Sequence, residues 1–419
     1  MSIALPSLPV GWSRTRVDRV ATVSARIGWK ALTAAEYQSD GYAFLSTPNI
    51  KGSEIDFSNV NYISEFRYGE SPELQLKTGD VLLTKDGNTL GIVNIVRDLP
   101  RPATVNGSIA VIRSTGIHPT YLRHVLASRV TQETINMLKG GMGVPHLFQW
   151  DINRLPIPLP PLDEQRRIAD FLDAETARID GLDASRSVQL KLLSDRERAM
   201  LDLSFLEARS GAPTRLKYLF SVRPRYGVLV PAFTDDGVPF IRVNDLLDLE
   251  GRADGLRKIP SDLSAQYARS VVRPGDLLMS VVGTLGRAAI APARLAGANI
   301  ARAVCSMRFM PDVDVQLVKA WLGTSFFHEQ ALVATSTDTA QPTLGMEDLG
   351  NFSLNWPSDS QERKHMVREI TRIQGSMSSL REKLERQKSV LAERRQALIT
   401  AAVTGQIDVS TASGRGIEE

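Results

Sequence analysis

The chain of 419 residues is 42% hydrophobic and 23% charged, which fits two or three globular domains, each able to bury its own core. Its 50 Lys and Arg against 47 Asp and Glu leave a net charge of only +3, so a nucleic-acid partner would need a local basic surface rather than a basic total. One cysteine, Cys305, and five scattered histidines exclude an internal disulfide and a cysteine-based metal site. No apolar run approaches the roughly 18 residues of a bilayer span. Met1–Arg19 lacks the apolar core of a signal peptide, so the expected location is the cytoplasm.

From about residue 10 to 155 the pattern is one of short β-like runs between turn residues. The clearest are Val81–Thr84, Gly91–Val96 and Ile109–Ile112, all rich in β-branched residues. A helix is predicted from Pro119 to Lys139, with Tyr121, Leu122, Val125, Leu126, Val130 and Ile135 on one side. The segment Gly140–Pro145 is too glycine-rich for regular structure. A second unit, about 212 to 357, repeats this order: strands near Leu277–Val282, Ala288–Ile290 and Val304–Phe309, a helix near Val315–Leu332, and a loop over Thr335–Pro342. With the helix following the strands rather than alternating with them, the fold class is α+β.

The two units match at an offset of 196 residues. Gly41-Tyr42-Ala43-Phe44 matches Gly237-Val238-Pro239-Phe240, and Leu76–Leu82 matches Val272–Leu278. Gly87–Gly91 matches Gly283–Gly286 with a one-residue gap, and Gln165 matches Gln361. Two similar, non-identical units suggest one task performed on two targets. The Gly79-Asp80 and Gly275-Asp276 pairs read as tight turns into a core strand.

Two stretches, 163–205 and 361–405, contain no proline and space their apolar residues three-then-four, as paired long helices do. The predicted seam of the first holds Ile168, Leu172, Ile179, Leu182, Leu193, Met200 and Leu203; that of the second holds Met366, Ile370, Ile373, Met377, Leu380, Leu384, Leu391 and Leu398. The first stretch carries seven basic and ten acidic residues, the second ten basic and five acidic. Opposite charge beside matching seams favours the helices pairing with each other. The pairing is expected to be antiparallel, because the second unit must return the chain to its start. Each helix would be about 60 Å long, with a pseudo-two-fold axis relating the units.

Motifs of catalysis are missing. There is no GxxxxGK[ST] phosphate loop, no Asn-Pro-Pro-aromatic element of the amino-methyltransferase kind, and no nucleophile motif beside His118, His124, His146, His328 or His365. Leu162-Asp163-Glu164-Gln165 is not the acidic end of an ATPase strand, since Pro156, Pro158, Pro160 and Pro161 precede it and exclude a central strand. The loops around 139–146 and 335–343 lie at the same place in both copies with different side chains, as variable recognition loops would.

Leu155-Pro156-Ile157-Pro158-Leu159-Pro160-Pro161-Leu162-Asp163-Glu164-Gln165-Arg166-Arg167-Ile168-Ala169, continuing through Phe171-Leu172-Asp173, resembles the central conserved region of the DNA-specificity subunits of type I restriction–modification systems. Arg394–Asp408 resembles the distal conserved region, and Thr214–Phe220 the opening of a target-recognition domain. The stretch Asn355–Gln361 departs from the pattern, keeping Pro357 and Gln361 but lacking the double proline and the Glu before Gln.

The resemblance implies target-recognition domains at 1–160 and 209–357, spacer helices at 161–208 and 358–408, and a flexible tail at 409–419. It implies a non-catalytic reader of a split DNA site, docked to two adenine-methyltransferase and two motor-endonuclease subunits. No cofactor is expected in this chain; S-adenosylmethionine, ATP and Mg would belong to the partners. Lys/Arg would hold phosphates, and Asn, Gln and Arg would reach base edges. The candidates are Lys85, Asn88, Asn106, Lys139 and His146 in the first unit, with Arg242, Asn244, Thr284, Arg287, Asn299, Arg302 and Gln341 in the second. The competing readings are a two-lobed DNA nuclease, which would turn over DNA with Mg²⁺ unaided, and a coiled-coil scaffold, which would bind no duplex.

Overall fold

The computed structural model describes residues 7–25, 32–140, 144–336 and 342–409. Two compact units divide the chain: residues 1–187 with 385–419, and residues 188–384. Among the described residues no helix is long and apolar enough to cross a membrane.

In the first unit the strands run β1 Ser13–Arg16, β2 Ala21–Ser24, β3 Tyr42–Leu45, β4 Asn61–Ile63, β5 Val81–Thr84, β6 Val93–Ile95, β7 Ala103–Val105, β8 Ile109–Ser114 and β9 Pro156–Leu159. They form an antiparallel sheet of order β2-β8-β5-β6, a sheet β4-β3-β7 whose β3–β7 pair is parallel, and a β1–β9 ribbon. The second unit has β10 Gly211–Arg215, β11 Phe220–Tyr226, β12 Val238–Ile241, β13 Lys258–Ile259, β14 Leu277–Ser280, β15 Ala288–Ile290, β16 Asn299–Ile300, β17 Val304–Phe309 and β18 Ser353–Pro357. Their orders are β11-β17-β14-β15, β13-β12-β16 and β10-β18, with β12–β16 parallel. The repeat in the sequence is a repeat in topology. The proline-rich β9 lies in the two-stranded ribbon, where missing N–H donors cost least.

The central strands are apolar on both faces because both faces are covered. Alternation along β5 sends Leu82 into the core between the two sheets, while Val81 and Leu83 enter the core shared with the helices. In β14, Leu278 and the pair Leu277/Met279 divide in the same way, as a period of two requires. A tight turn leads into each strand. Gly79 (φ 91°) and Gly275 (φ 86°) occupy the left-handed region that glycine enters without a Cβ penalty. The aspartate that follows is buried in each unit. Asp80 accepts from Lys77 N (2.8 Å) and from Arg113 Nε and Nη2 (2.7 and 2.6 Å); Asp276 accepts from Arg273 N (2.8 Å) and from Arg308 (2.7 and 2.7 Å).

The helix predicted over 119–139 is two helices, Pro119–Ala127 and Arg129–Leu138. Ser128 separates them with an extended backbone (ψ 151°), its hydroxyl donating to Val125 O and accepting from Thr131 N. In the second unit Thr324 does the same between Val315–Trp321 and Ser325–Ala334, donating to Trp321 O and accepting from Phe327 N. A Ser/Thr hydroxyl that satisfies a following N–H starts a new helix.

The two long helices are Leu162–Leu206 and Ser360–Val403; each contributes one part to each unit. In the first unit Ile168, Ala169 and Leu172 share a core with Ile399, Ala402 and Val403. In the second, Leu201 and Phe205 share one with Met366 and Ile370. The start of one helix meets the end of the other in both cases, so the pairing is antiparallel. Ile179, Leu193, Ile373, Met377 and Leu384 are buried, and Leu391, Leu398 and Met200 are half-buried.

Leu182 (42% exposed), Leu380 (47%) and Leu203 (51%) do not join the predicted seam. The three-four spacing runs instead through Asp183 and Arg381, both partly buried. In the first unit Lys388 Nζ lies 2.8 Å from Asp183, and Arg395 Nε 2.8 Å from Asp180. In the second, Arg381 lies 2.8 Å from Glu197. Each pair places the acid on the first helix and the base on the second, in keeping with their charge balance.

The Gln165–Gln361 match does not extend to environment. Gln165 is buried, accepting from His118 N (2.8 Å) and donating to Pro160 O (2.8 Å), whereas Gln361 is exposed. Glu362 instead holds the loop before β10, accepting from Arg209 N and Ser210 N.

Candidate nucleic-acid interface

Four of the five candidates in the first unit gather at one edge, where β5 ends. The turn 85–91 is closed by Thr84, whose hydroxyl donates to Thr89 O and accepts from Ile92 N (2.9 Å). Gly87 N donates to Pro145 O (2.9 Å), and Leu147 N to Lys85 O (2.8 Å). The loop after the helices is thereby fastened to the turn. Asn88 and Lys139 are exposed there. The His146 ring hydrogen-bonds Asp86, and Lys85 Nζ lies 3.2 Å from the same carboxylate. The turn after β7 abuts them through Lys85 N→Ser108 O (2.8 Å), and Asn106 Oδ1 accepts from Ser108 N (3.1 Å).

The second unit builds the same edge from other side chains. Ser280 donates to Thr284 O and accepts from Arg287 N (3.0 Å); Gly283 N donates to Pro342 O (3.0 Å), and Leu344 N to Val281 O (2.8 Å). Val281 N reaches Ala303 O (2.9 Å), as Lys85 reaches Ser108. Thr284 and Arg302 are exposed and Arg287 half-buried. Asn244 is exposed on the short turn Val243–Leu247, and Arg242 reaches back to Asp245 (3.1 Å) at the start of that turn.

Two candidates are corrected by burial. Lys85 is 3% exposed and held by Asp86, and Asn299 is fully buried on β16 with its Oδ1 2.5 Å from Ser264 Oγ. Both side chains serve the framework. Gln341 lies outside the described residues, as do Gly141–Gly143 and Thr337–Ala340. The sequence reading passed over Asp86, which joins turn to loop, and over Phe148 and Trp150, exposed aromatics stacked at 6.3 Å, the first edge-on to His146 at 4.5 Å. The signal for the aromatics was their alternation immediately after the loop; the Asp86–His146 contact spans sixty positions and leaves no local trace. Among the described residues no group of three or more His, Cys, Asp or Glu could hold a metal ion.

One α+β unit present twice, with an edge of like construction and unlike side chains, defines a duplicated recognition protein. Residues 9–191 match the family profile described as "Type I restriction modification DNA specificity domain". The chain is 26% identical to the type I restriction enzyme EcoBI specificity subunit of Escherichia coli, over 96% of this chain and 88% of that one. It is 24% identical to the type I restriction enzyme MjaVIII specificity subunit of Methanocaldococcus jannaschii, over 39% of each. A solved structure described as showing complex assembly and conformational transition of the type I R-M system shares the fold, with a TM-score of 0.65 and 20% identity over 96% of this chain and all of that one. Over nearly its whole length the chain is thus similar to specificity subunits of type I restriction–modification systems.

Proposed function

We propose that the chain reads a split, asymmetric DNA site, one half-site per unit, as target-recognition domains 1–160 and 209–357. The observation that carries this is the doubled edge: the same backbone bonds, Gly87→Pro145 and Gly283→Pro342, present Asn88, Lys139 and His146 in one copy but Thr284, Arg287 and Arg302 in the other. Equal frames with unequal side chains suit two different half-sites. Lysine and arginine would hold phosphates and make affinity salt-dependent, while Asn88, His146, Asn244 and Arg287 would approach base edges in the grooves.

The spacer helices, 161–208 and 358–408, would dock two adenine-methyltransferase and two motor-endonuclease subunits in the cytoplasm. Genome-wide mapping of N6-methyladenine with and without the gene tests the reading. The expected result is loss, on deletion, of one motif made of two unlike segments separated by unspecified bases. An unchanged methylome, or a lost motif that is continuous, would overturn it.

A further inference from the structure

Between β11 and β12 the second unit carries three exposed apolar side chains within five residues: Leu229 (54% exposed), Val230 (75%) and Phe233 (45%), with Pro231 among them. Single exposed hydrophobes are ordinary, but a cluster signals contact with something. The segment is pinned at both ends. Val228 N donates to Ile300 O (2.8 Å), Arg302 N to Val228 O (2.9 Å), and Thr234 N to Lys258 O (3.1 Å). Gly227 makes the first pin possible, because a Cβ there would stand 1.7 Å from Ile300 O. Phe233 is braced edge-on by buried Phe240 at 5.9 Å. The result is a short apolar finger on a fixed base.

Its surroundings point to the occupant. The Ala301–Ala303 turn beneath it is the one that hydrogen-bonds Val281 at the recognition edge, so the finger is continuous with that edge. The Arg257 guanidinium lies 4.8 Å over the Phe233 ring, and exposed Arg302 stands at the finger's root. Apolar tips flanked by arginines match a nucleic acid, with stacked bases inside and phosphates outside.

We propose that Val230 and Phe233 form a wedge that enters one base step of the half-site read by the second unit, partly unstacking it. This rests on the DNA-reading role proposed above. A wedge adds selectivity without hydrogen bonds, because pyrimidine–purine steps open most readily.

The test uses the complex assembled with its methyltransferase and duplexes of the mapped site, with 2-aminopurine placed at each position in turn. Binding by the unaltered chain should brighten the probe at one step in one half-site only. Val230→Ala/Phe233→Ala should abolish that brightening and weaken cognate binding about tenfold, the worth of a lost stacking contact, with the salt dependence unchanged. Val230→Ala alone, at the most exposed position, should give an intermediate loss, since truncating a surface side chain there removes no core packing. Saturated binding without brightening, or a double variant that brightens normally, overturns the wedge and spares the DNA-reading role. A double variant that fails to assemble with the methyltransferase makes the finger a protein contact and also overturns it. Absence of any site-selective binding by the unaltered complex overturns the DNA-reading role itself, and the wedge with it.

Discussion

Asp80 takes one turn amide and both prongs of Arg113 while buried, so its removal would leave the Lys77 amide and Arg113 Nε without an acceptor and Arg113 Nη2 with Gln75 O alone. Breaking such a pair from one side strands a charge, and Asp80→Ala should cost about 3 kcal/mol, read by urea unfolding. Asp276→Ala should behave alike, and a cost below about 1 kcal/mol in either would contradict this account. His124 adds a pH signature. Burial pushes its imidazole from 6.5 down to about 4, with Nε2 2.8 Å from Asp173 and Nδ1 3.3 Å from Arg123 Nη1. The unfolded chain therefore binds a proton that the folded chain refuses. Stability from this site should be complete above pH 6.5, fall as pH drops toward 4, and level off below, by about 3 kcal/mol in all. Burial alone would raise Asp173, but its bonds from His124 and Arg97 outweigh that and hold it below its usual value, so its own loss lies at lower pH. His124→Asn should flatten the slope between pH 4 and 6.5; an equal slope in both proteins would refute the assignment.

At the scale of the element, period and composition were enough to place the central strands and the long helices, because each is defined by its own residues. Where a contact partner decided the outcome, the sequence misled. Leu182 and Leu380 satisfied an apolar spacing, yet the seam runs one residue further on, through Asp183 and Arg381, whose long-range partners Lys388 and Glu197 no local window contains. Ser128 and Thr324 were readable as caps in principle, since each precedes a helical run, but the apolar periodicity continues across them and hid the break. The ion pairs can be tested as pairs. Asp180→Arg and Arg395→Asp should each destabilise the first unit, and the double exchange should recover about 0.5–1 kcal/mol through their coupling, as for partly exposed pairs. A double variant showing only the sum of the single effects would mean that Arg395 and Asp180 are neighbours without energetic consequence.

For the molecule as a whole, duplication explains what was legible about the site and what was not. The frame recurs because the same strands, turns and capping hydroxyls recur. The side chains on the edge diverge, so no comparison of one copy with the other could say which of them meets a partner, and Lys85 and Asn299 were chosen by type although burial commits them to the frame. The same divergence makes a sharp prediction. Because the backbone bonds Gly87→Pro145 and Gly283→Pro342 tie the loop to its turn in each unit, side chains on one edge can be exchanged with those ties kept. Replacing Asn88, Lys139 and His146 together should leave the methyltransferase assembled and alter one segment of the methylated motif, with the other segment and the gap preserved. His146 also holds Asp86, so Asn88→Ala/Lys139→Ala serves as the control that keeps this contact. Simultaneous change in both segments would mean that the units do not read independently, and the one-unit, one-half-site assignment would fall.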